Sequence, residues 1–185
     1  MLRKQLFDPA SDFVAVSRLA TTPLVLMVRS DFPGRTAREF IAQLKALPGK
    51  LSAGYGSSSS QVCIAQLAAL ANLDVLPVPY KGIPLAVNDL IAGTVQFSFV
   101  DLGNALAQAK GGRLRAIAVT SEKRSPLAPE WPALAETLPG YDIDAWLAVL
   151  GPKGLPEPVA GRLHELTARA LAKTEVRTRL ALTGF

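Results

Sequence analysis

Residues 51–70, LSAGYGSSSSQVCIAQLAAL, decide the fold. The segment KLSAGYG has the length and composition of a short strand. It meets Gly54 and Gly56, then the serines Ser57, Ser58, Ser59 and Ser60, and then a run, SSQVCIAQLAALANL, with apolar residues at helical spacing. A strand, a glycine-bearing turn and a helix make one strand–helix unit. On its N-terminal side GRTAREFIAQLKALPGK is a helix. Thr36 and Glu39 stand at capping-box spacing, Phe40, Ile41, Leu44 and Leu47 form its apolar face, and Pro48-Gly49 stops it. On the C-terminal side DVLPVPYKG is a strand, IPLAVNDLIAG a helix with Pro84 in its first turn and Gly93 just past its end, TVQFSFVD a strand, LGNALAQAKGG a helix, and RLRAIAVTS a strand. From Thr36 to Thr120 helices and strands therefore alternate. That alternation predicts an α/β fold with a mostly parallel sheet covered by helices on both faces.

The flanks read differently. DFVAVSRLATTPLVLMVRSD reads as two extended segments parted at Thr22-Pro23, because proline favours turns and an extended residue before it. Beyond Ser121 the chain is proline-rich, with a short helix expected over 133–137, a strand in AWLAVLGPKG, a helix in PEPVAGRLHELTARALA and a last helix in TEVRTRLALTGF that Thr174 caps. No internal repeat is visible.

Composition narrows the function classes. With 185 residues, 49% of them hydrophobic and 19% charged, the chain suits one globular domain or two small lobes. Apolar runs such as TPLVLMV are far shorter than the roughly 20 residues that span a bilayer. The formal charge is +5 and the isoelectric point about 9.6, but the basic residues are scattered from Arg3 to Arg179, which argues against a nucleic-acid surface. Cys63 is the only cysteine, which excludes an intrachain disulfide and a cysteine zinc cluster; it reads as a small buried residue of a helix. His164, the only histidine, falls beside the apolar stripe Val159, Leu163, Leu166 and Ala170 and reads as a surface residue. The N-terminus MLRKQLFDPASDF has a positive start but no apolar run after it, unlike a secretory signal.

The serines stand where a strand ends and a helix begins. The first turn of a helix has unpaired N–H groups and its dipole favours negative charge. Glycines admit a ligand to the backbone and hydroxyls add neutral donors. One reading of Tyr55 to Ser60 is thus a cradle for a carboxylate, phosphate or sulfate; the other is a serine-rich cap with no ligand. Other strand ends add Tyr80 and Lys81 in VPYKG, Asp101 in SFVD and Trp146 in YDIDAW. Lys81 could support an anion and Asp101 an ammonium, a hydroxyl or a water. Their structural alternatives are a solvated Lys81, an Asp101 that caps the helix at LGNA, and a Trp146 in the core. Enzyme motifs are incomplete: the serine run lacks a P-loop lysine, Gly56-Ser57-Ser58 lacks the second glycine of a nucleophile elbow, and Gly54-Tyr55-Gly56 lacks the third glycine of a dinucleotide fingerprint.

The blocks LFDPASDFVAVSRLATTPLVLMV, LKALPGKLSAGYGSSS, VPYKGIPLAVNDLIAGTVQFSFVDLGNALAQAKGGRLRAIAVTSEKRSP and LPGYDIDAWLAVLGPKGLPEPVAGRLHELTARAL resemble, in order, those of the Bug family. These are extracytoplasmic solute-binding receptors associated with tripartite tricarboxylate transporters. The resemblance implies a periplasmic-binding-protein-like fold (type II) that closes on small carboxylates or amino acids without catalysis and without a cofactor. It implies membrane transporter subunits as partners and the periplasm as location. Carried onto this chain, it assigns ligand contact to Tyr55, Gly56, Ser57, Ser58, Ser59, Ser60 and Asp101, with Tyr80 and Lys81 beside them. It also implies a chain truncated at both ends: a second lobe over 32–118, and an incomplete first lobe over 1–31 and 119–185 whose unpaired apolar strands could self-associate. A cytoplasmic effector-sensing domain of the same fold class and an enzyme using the serine loop are the alternatives.

Overall fold

The computed structural model describes residues 7–185; residues 1–6, with the positive start noted above, lie outside the described residues. The elements are β1 (Phe13–Arg29), α1 (Ala37–Ala46), β2 (Ser52–Tyr55), α2 (Ser58–Ala71), β3 (Leu76–Pro79), α3 (Ile83–Ala92), β4 (Phe97–Asp101), α4 (Leu102–Lys110), β5 (Leu114–Val119), a 3-10 turn (Leu134–Glu136), β6 (Asp144–Pro152), α5 (Glu157–Leu171) and α6 (Thr174–Leu182). The chain divides into two compact units. Among the described residues one comprises 7–21 and 146–182, the other 22–145 and 183–185. The expected boundaries at 32 and 118 fall inside the larger unit, because Leu24–Val28 and Leu134–Tyr141 both contribute to its core.

The larger unit is built on a sheet of order β3-β2-β4-β1-β5. β2 pairs in parallel with β3 and with β4, whereas β1 pairs antiparallel with both β4 and β5. Four strands thus run one way, as the alternation predicts, and β1 runs against them between β4 and β5. This strand corrects the expected break at Thr22-Pro23: β1 is continuous over 17 residues. Proline's preference for extended backbone suits a strand as well as a turn. Beside it Leu24 N–H donates to Thr120 Oγ1 (2.8 Å) and Thr120 N–H to Leu24 O (2.9 Å), so pairing resumes at once.

Side-chain alternation then makes two cores. Leu24, Leu26 and Val28 face one side with Phe40 and Leu44 of α1, Cys63, Ile64 and Leu67 of α2, Phe97, Phe99 and Tyr141. Val25 and Met27 face the other side with Val87 and Leu90 of α3, Leu102 and Ala105 of α4, Val100 and Val119. β4 is buried over Phe97–Val100 on both faces, the pattern of a central strand in a covered sheet. Aromatic rings join α1 to the sheet: Phe40 meets Phe97 edge-to-face at 5.1 Å. Cys63 is buried, and its backbone carbonyl accepts from the Tyr141 hydroxyl at 2.8 Å.

The smaller unit contains residues 13–21 of β1, most of β6, α5 and α6. β6 pairs with β1. Neither α5 nor α6 has a buried residue, and Trp146 is 62% exposed, not in a core. His164 is exposed, with Nδ1 3.0 Å from the Val16 carbonyl.

Candidate functional site

Because β3, β2 and β4 are adjacent and parallel, their C-terminal ends share one edge of the sheet. The register Gly54↔Val78, Tyr55↔Pro79 and Gly54↔Ser98 places the loops at 55–60, 80–82 and 101–104 along that edge. The N-termini of α2, α3 and α4 follow directly, so three first turns gather there. Open parallel sheets bind ligands outside the carboxyl ends of their strands. Leu24 lies opposite Asp101, which brings the start of the antiparallel segment of β1 to the same edge.

The four serines divide into two pairs. Ser57 is the N-cap of α2 and accepts from Ser60 N–H at 3.1 Å. Ser60 is fully buried; its Oγ accepts from the N–H groups of Gly56 (3.3 Å) and Ser57 (3.1 Å) and donates to Ser57 O (2.9 Å). This reciprocal pair is a capping box with serine in place of the usual glutamate. Ser58 and Ser59 stand on the first turn itself. Ser58 is exposed, Ser59 is half-buried, and neither hydroxyl has a hydrogen-bond partner among the described residues. Ser57 and Ser60 therefore build the cap, and the hydroxyls of Ser58 and Ser59 are left without a partner among the described residues.

The neighbouring loop is held close by glycine. Tyr80 N–H donates to Tyr55 O at 2.8 Å, extending the β2–β3 ladder past its last pair. A Cβ on Gly56 would collide with the backbone of Gly82 and Ile83, so the two loops touch main chain to main chain. Gly82 caps α3 with no side-chain hydrogen bond, and Pro84 in the first turn has no N–H to satisfy. Lys81 is exposed and has no hydrogen-bond or ion-pair partner among the described residues. Tyr80 is half-buried and its hydroxyl donates to Asp89 Oδ2 at 2.7 Å. Partial burial, and then the Asp89 carboxylate, push the Tyr80 phenol up to about 12. Tyr80 braces β3 against α3 in this way, and its hydroxyl is already engaged.

Asp101 is the N-cap of α4. Its carboxylate accepts from Asn104 N–H (3.1 Å) and from the Asn104 side-chain amide (2.8 Å). A feature that no local pattern signals lies beside it. Residues 183–185 pack over the first turn of α4, where the Thr183 carbonyl oxygen lies 2.6 Å from where a Cβ on Gly103 would stand. The Thr22 hydroxyl donates to Gly184 O, and Gly184 itself takes the left-handed conformation (φ +89°). Gly103 fits because it has no side chain. Of the three gathered first turns, α4 is thus covered, while α2 and α3 keep open donors. Among the described residues no cluster of histidine, cysteine or acidic side chains could hold a metal ion, and no helix is long and apolar enough to cross a membrane.

A mixed α/β sheet with helix N-termini gathered at one strand-end edge is also the fold of solved structures that this chain resembles, a periplasmic binding protein, BugD, among them. The R. palustris protein Rpa4515, solved with adipate, superposes with a TM-score of 0.88 at 28% identity, covering 98% of this chain and 62% of that one. MatC (Rpa3494) from Rhodopseudomonas palustris, solved with bound malate, gives a TM-score of 0.84 at 30% identity, covering 97% and 62%. A UPF0065 protein from the tcbD-tcbE intergenic region of Pseudomonas sp. (strain P51) is 39% identical over 179 residues, 94% of this chain and 53% of that protein. Over residues 1–185 the sequence matches the family TctC, "Tripartite tricarboxylate transporter family receptor", and the chain belongs to that family. It spans about half the length of the curated relatives it matches.

Proposed function

We propose that this chain supplies the anion-holding wall of a periplasmic solute receptor for small carboxylates or amino acids, one that works by closing on its ligand and delivers it to a tripartite tricarboxylate-type membrane transporter. The reading involves no catalysis and no cofactor. The observation that carries it is the pair Ser58 and Ser59. They stand on the first turn of a helix of 14 residues, with free hydroxyls, beside the uncapped first turn of α3 and the unpaired Lys81. A carboxylate there meets neutral donors, the positive end of a helix dipole and one cation. Ser57, Ser60, Gly56, Tyr55 and Tyr80 shape the wall, and Asp101 holds the adjoining turn. The adipate and malate in two similar structures make dicarboxylates the first class to test. Calorimetry with adipate, malate, succinate and glutamate should find at least one that binds. Replacing both Ser58 and Ser59 by alanine should weaken that ligand by about tenfold or more, each lost hydrogen bond to a charged group being worth roughly 1.5–3 kcal/mol. Unchanged affinity in the double variant would put the site elsewhere.

We further infer that the smaller unit associates with a second copy of this chain when no other polypeptide covers it. Trp146, Leu147 and Leu150 of β6 and Val159, Leu163 and Leu166 of α5 are all exposed. Apolar strands and stripes of this kind are templates for pairing. Sedimentation should show concentration-dependent dimers that dissociate when Val159, Leu163 and Leu166 become glutamate. A clean monomer at high concentration would reject the inference.

A further inference from the structure

The far end of α2 carries a second feature that the strand-end wall does not use. A groove of about 370 Å³ is lined by Arg38, Ile41 and Lys45 of α1, by Leu70, Ala71 and Asn72 at the C-terminus of α2, and by Thr137 and Leu138. Its size falls in the roughly 300–1,000 Å³ range of small-molecule sites. Arg38, Ile41 and Lys45 recur at intervals of three and four residues, so they lie along one face of α1 as cation, apolar residue, cation. Both cations are exposed, and neither has an ion-pair or hydrogen-bond partner among the described residues. Leu70 is 43% exposed, while Leu138 packs on the core behind it. No carboxylate lines the groove.

The two cations have one structural use. The C-terminus of α2 carries roughly half a negative charge, and α2 has no basic residue of its own in its last turn. Lys45 also stands in the last turn of α1, so two helix C-termini of about half a negative charge each offset one of the two cations, and the groove keeps a net positive charge of roughly one. Its remaining walls are the apolar side chains of Ile41, Leu70, Ala71 and Leu138, with the polar Asn72 and Thr137 between them. That pairing of cations with apolar surface recognises an anion joined to an apolar body. A guanidinium takes a carboxylate through two parallel hydrogen bonds, and the ammonium adds a point charge.

We propose that this groove is a second binding site, for a carboxylate with an apolar tail. It lies at the opposite end of α2 from Ser58. That is roughly 20 Å along a helix of this length at 1.5 Å per residue. It therefore stands or falls separately from the strand-end wall. The test uses phenylbutyrate as probe, with phenylbutanol and acetate as controls lacking the charge and the tail. In amide NMR spectra phenylbutyrate should shift resonances of α1, of residues 70–72 and of residues 137–138. The Arg38→Gln/Lys45→Gln variant should bind it about tenfold more weakly or worse. Both positions are exposed, so the variant should lose no more than a few degrees of melting temperature through the weakened helix-end charges, and it should keep any adipate-induced shifts at residues 56–60. Phenylbutanol binding as tightly as phenylbutyrate would overturn the proposal, as would unchanged affinity in the variant, or no shift up to the solubility limit of the probe. Loss of adipate binding by Ser58→Ala/Ser59→Ala, with phenylbutyrate binding intact, would separate this site from the first.

Discussion

The two units of this chain treat their apolar residues in opposite ways. In the larger unit each helix on the sheet buries a stripe: Phe40 and Leu44 in α1, Cys63, Ile64 and Leu67 in α2, Val87 and Leu90 in α3, Leu102 and Ala105 in α4. In the smaller unit α5 has an equally regular stripe, Val159, Leu163 and Leu166, and buries none of it. The amphipathic pattern is the same in both. What differs is whether a second apolar layer lies against it. Periodicity states that a face wants covering; it does not supply the cover. The larger unit closes its own core on both sides of a sheet, so its strand-end edge can be rigid enough to position donors.

The sharpest test of that difference compares one ring with one exposed side chain. Phe97 is fully buried between Phe40 and Phe99, so Phe97→Ala should cost about 3–5 kcal/mol in urea unfolding. Leu163→Ala, at a position 39% exposed, should stay within about 0.5 kcal/mol in dilute solution. A cost at Leu163 that matches Phe97 would mean that another polypeptide already covers the smaller unit.

Gly56→Ala probes the closeness of the two strand-end loops at 55–60 and 80–82. Its Cβ would meet backbone atoms of Gly82 and Ile83, which cannot rotate away as a flexible side chain can. The loops must part, at an overpacking cost of about 1–3 kcal/mol, and the carboxylate response should fall with them. Unchanged stability and binding would show that the two loops separate freely.

A smaller effect distinguishes the serines. Ser57→Ala removes the cap of α2 and should cost about 1 kcal/mol. Ser58→Ala removes a hydroxyl without a partner and should stay within about 0.5 kcal/mol, yet reduce ligand binding. Equal destabilisation by the two would place Ser58 in the cap network as well.

The smallest effect is electrostatic and exposed. Two hydrogen bonds from Arg124 (2.7 and 2.9 Å), then one from Ala133 N–H, hold the Glu136 carboxyl down at about 2, from an ordinary 4.5. A depressed carboxyl contributes stability that is complete above its unfolded value and is lost as pH falls through the folded one. Melting temperatures of Glu136→Gln and the parent should therefore differ slightly above about pH 4.5 and converge towards pH 2. A constant difference across that window would assign the effect to the 3-10 turn and not to the charge.

Most helices and several of their caps are legible in local sequence, although Thr174, expected as the cap of α6, is the first residue of that helix. Thr36 with Glu39, Pro84 with Gly93, and the strand–glycine–helix joint at 51–70 all act within a few residues, through local hydrogen bonds and backbone conformation, so they can be read without knowing the fold. The same locality made the strand-end edge foreseeable, since alternating strands and helices of one hand put successive loops together. Tertiary structure decided the rest. Thr22-Pro23 reads locally as a break, but pairing with β4 on one side and β5 on the other carries β1 straight through. Four consecutive serines look alike in a sequence, but the fold buries Ser60, caps α2 with Ser57 and leaves Ser58 and Ser59 open. Asp101 caps α4 through Asn104, and residues 183–185 pack over the same turn from about 80 positions away in the sequence. Each of these outcomes depends on atoms far away along the chain. Burial and strand partners are properties of the packed molecule, and no window of neighbouring residues contains them.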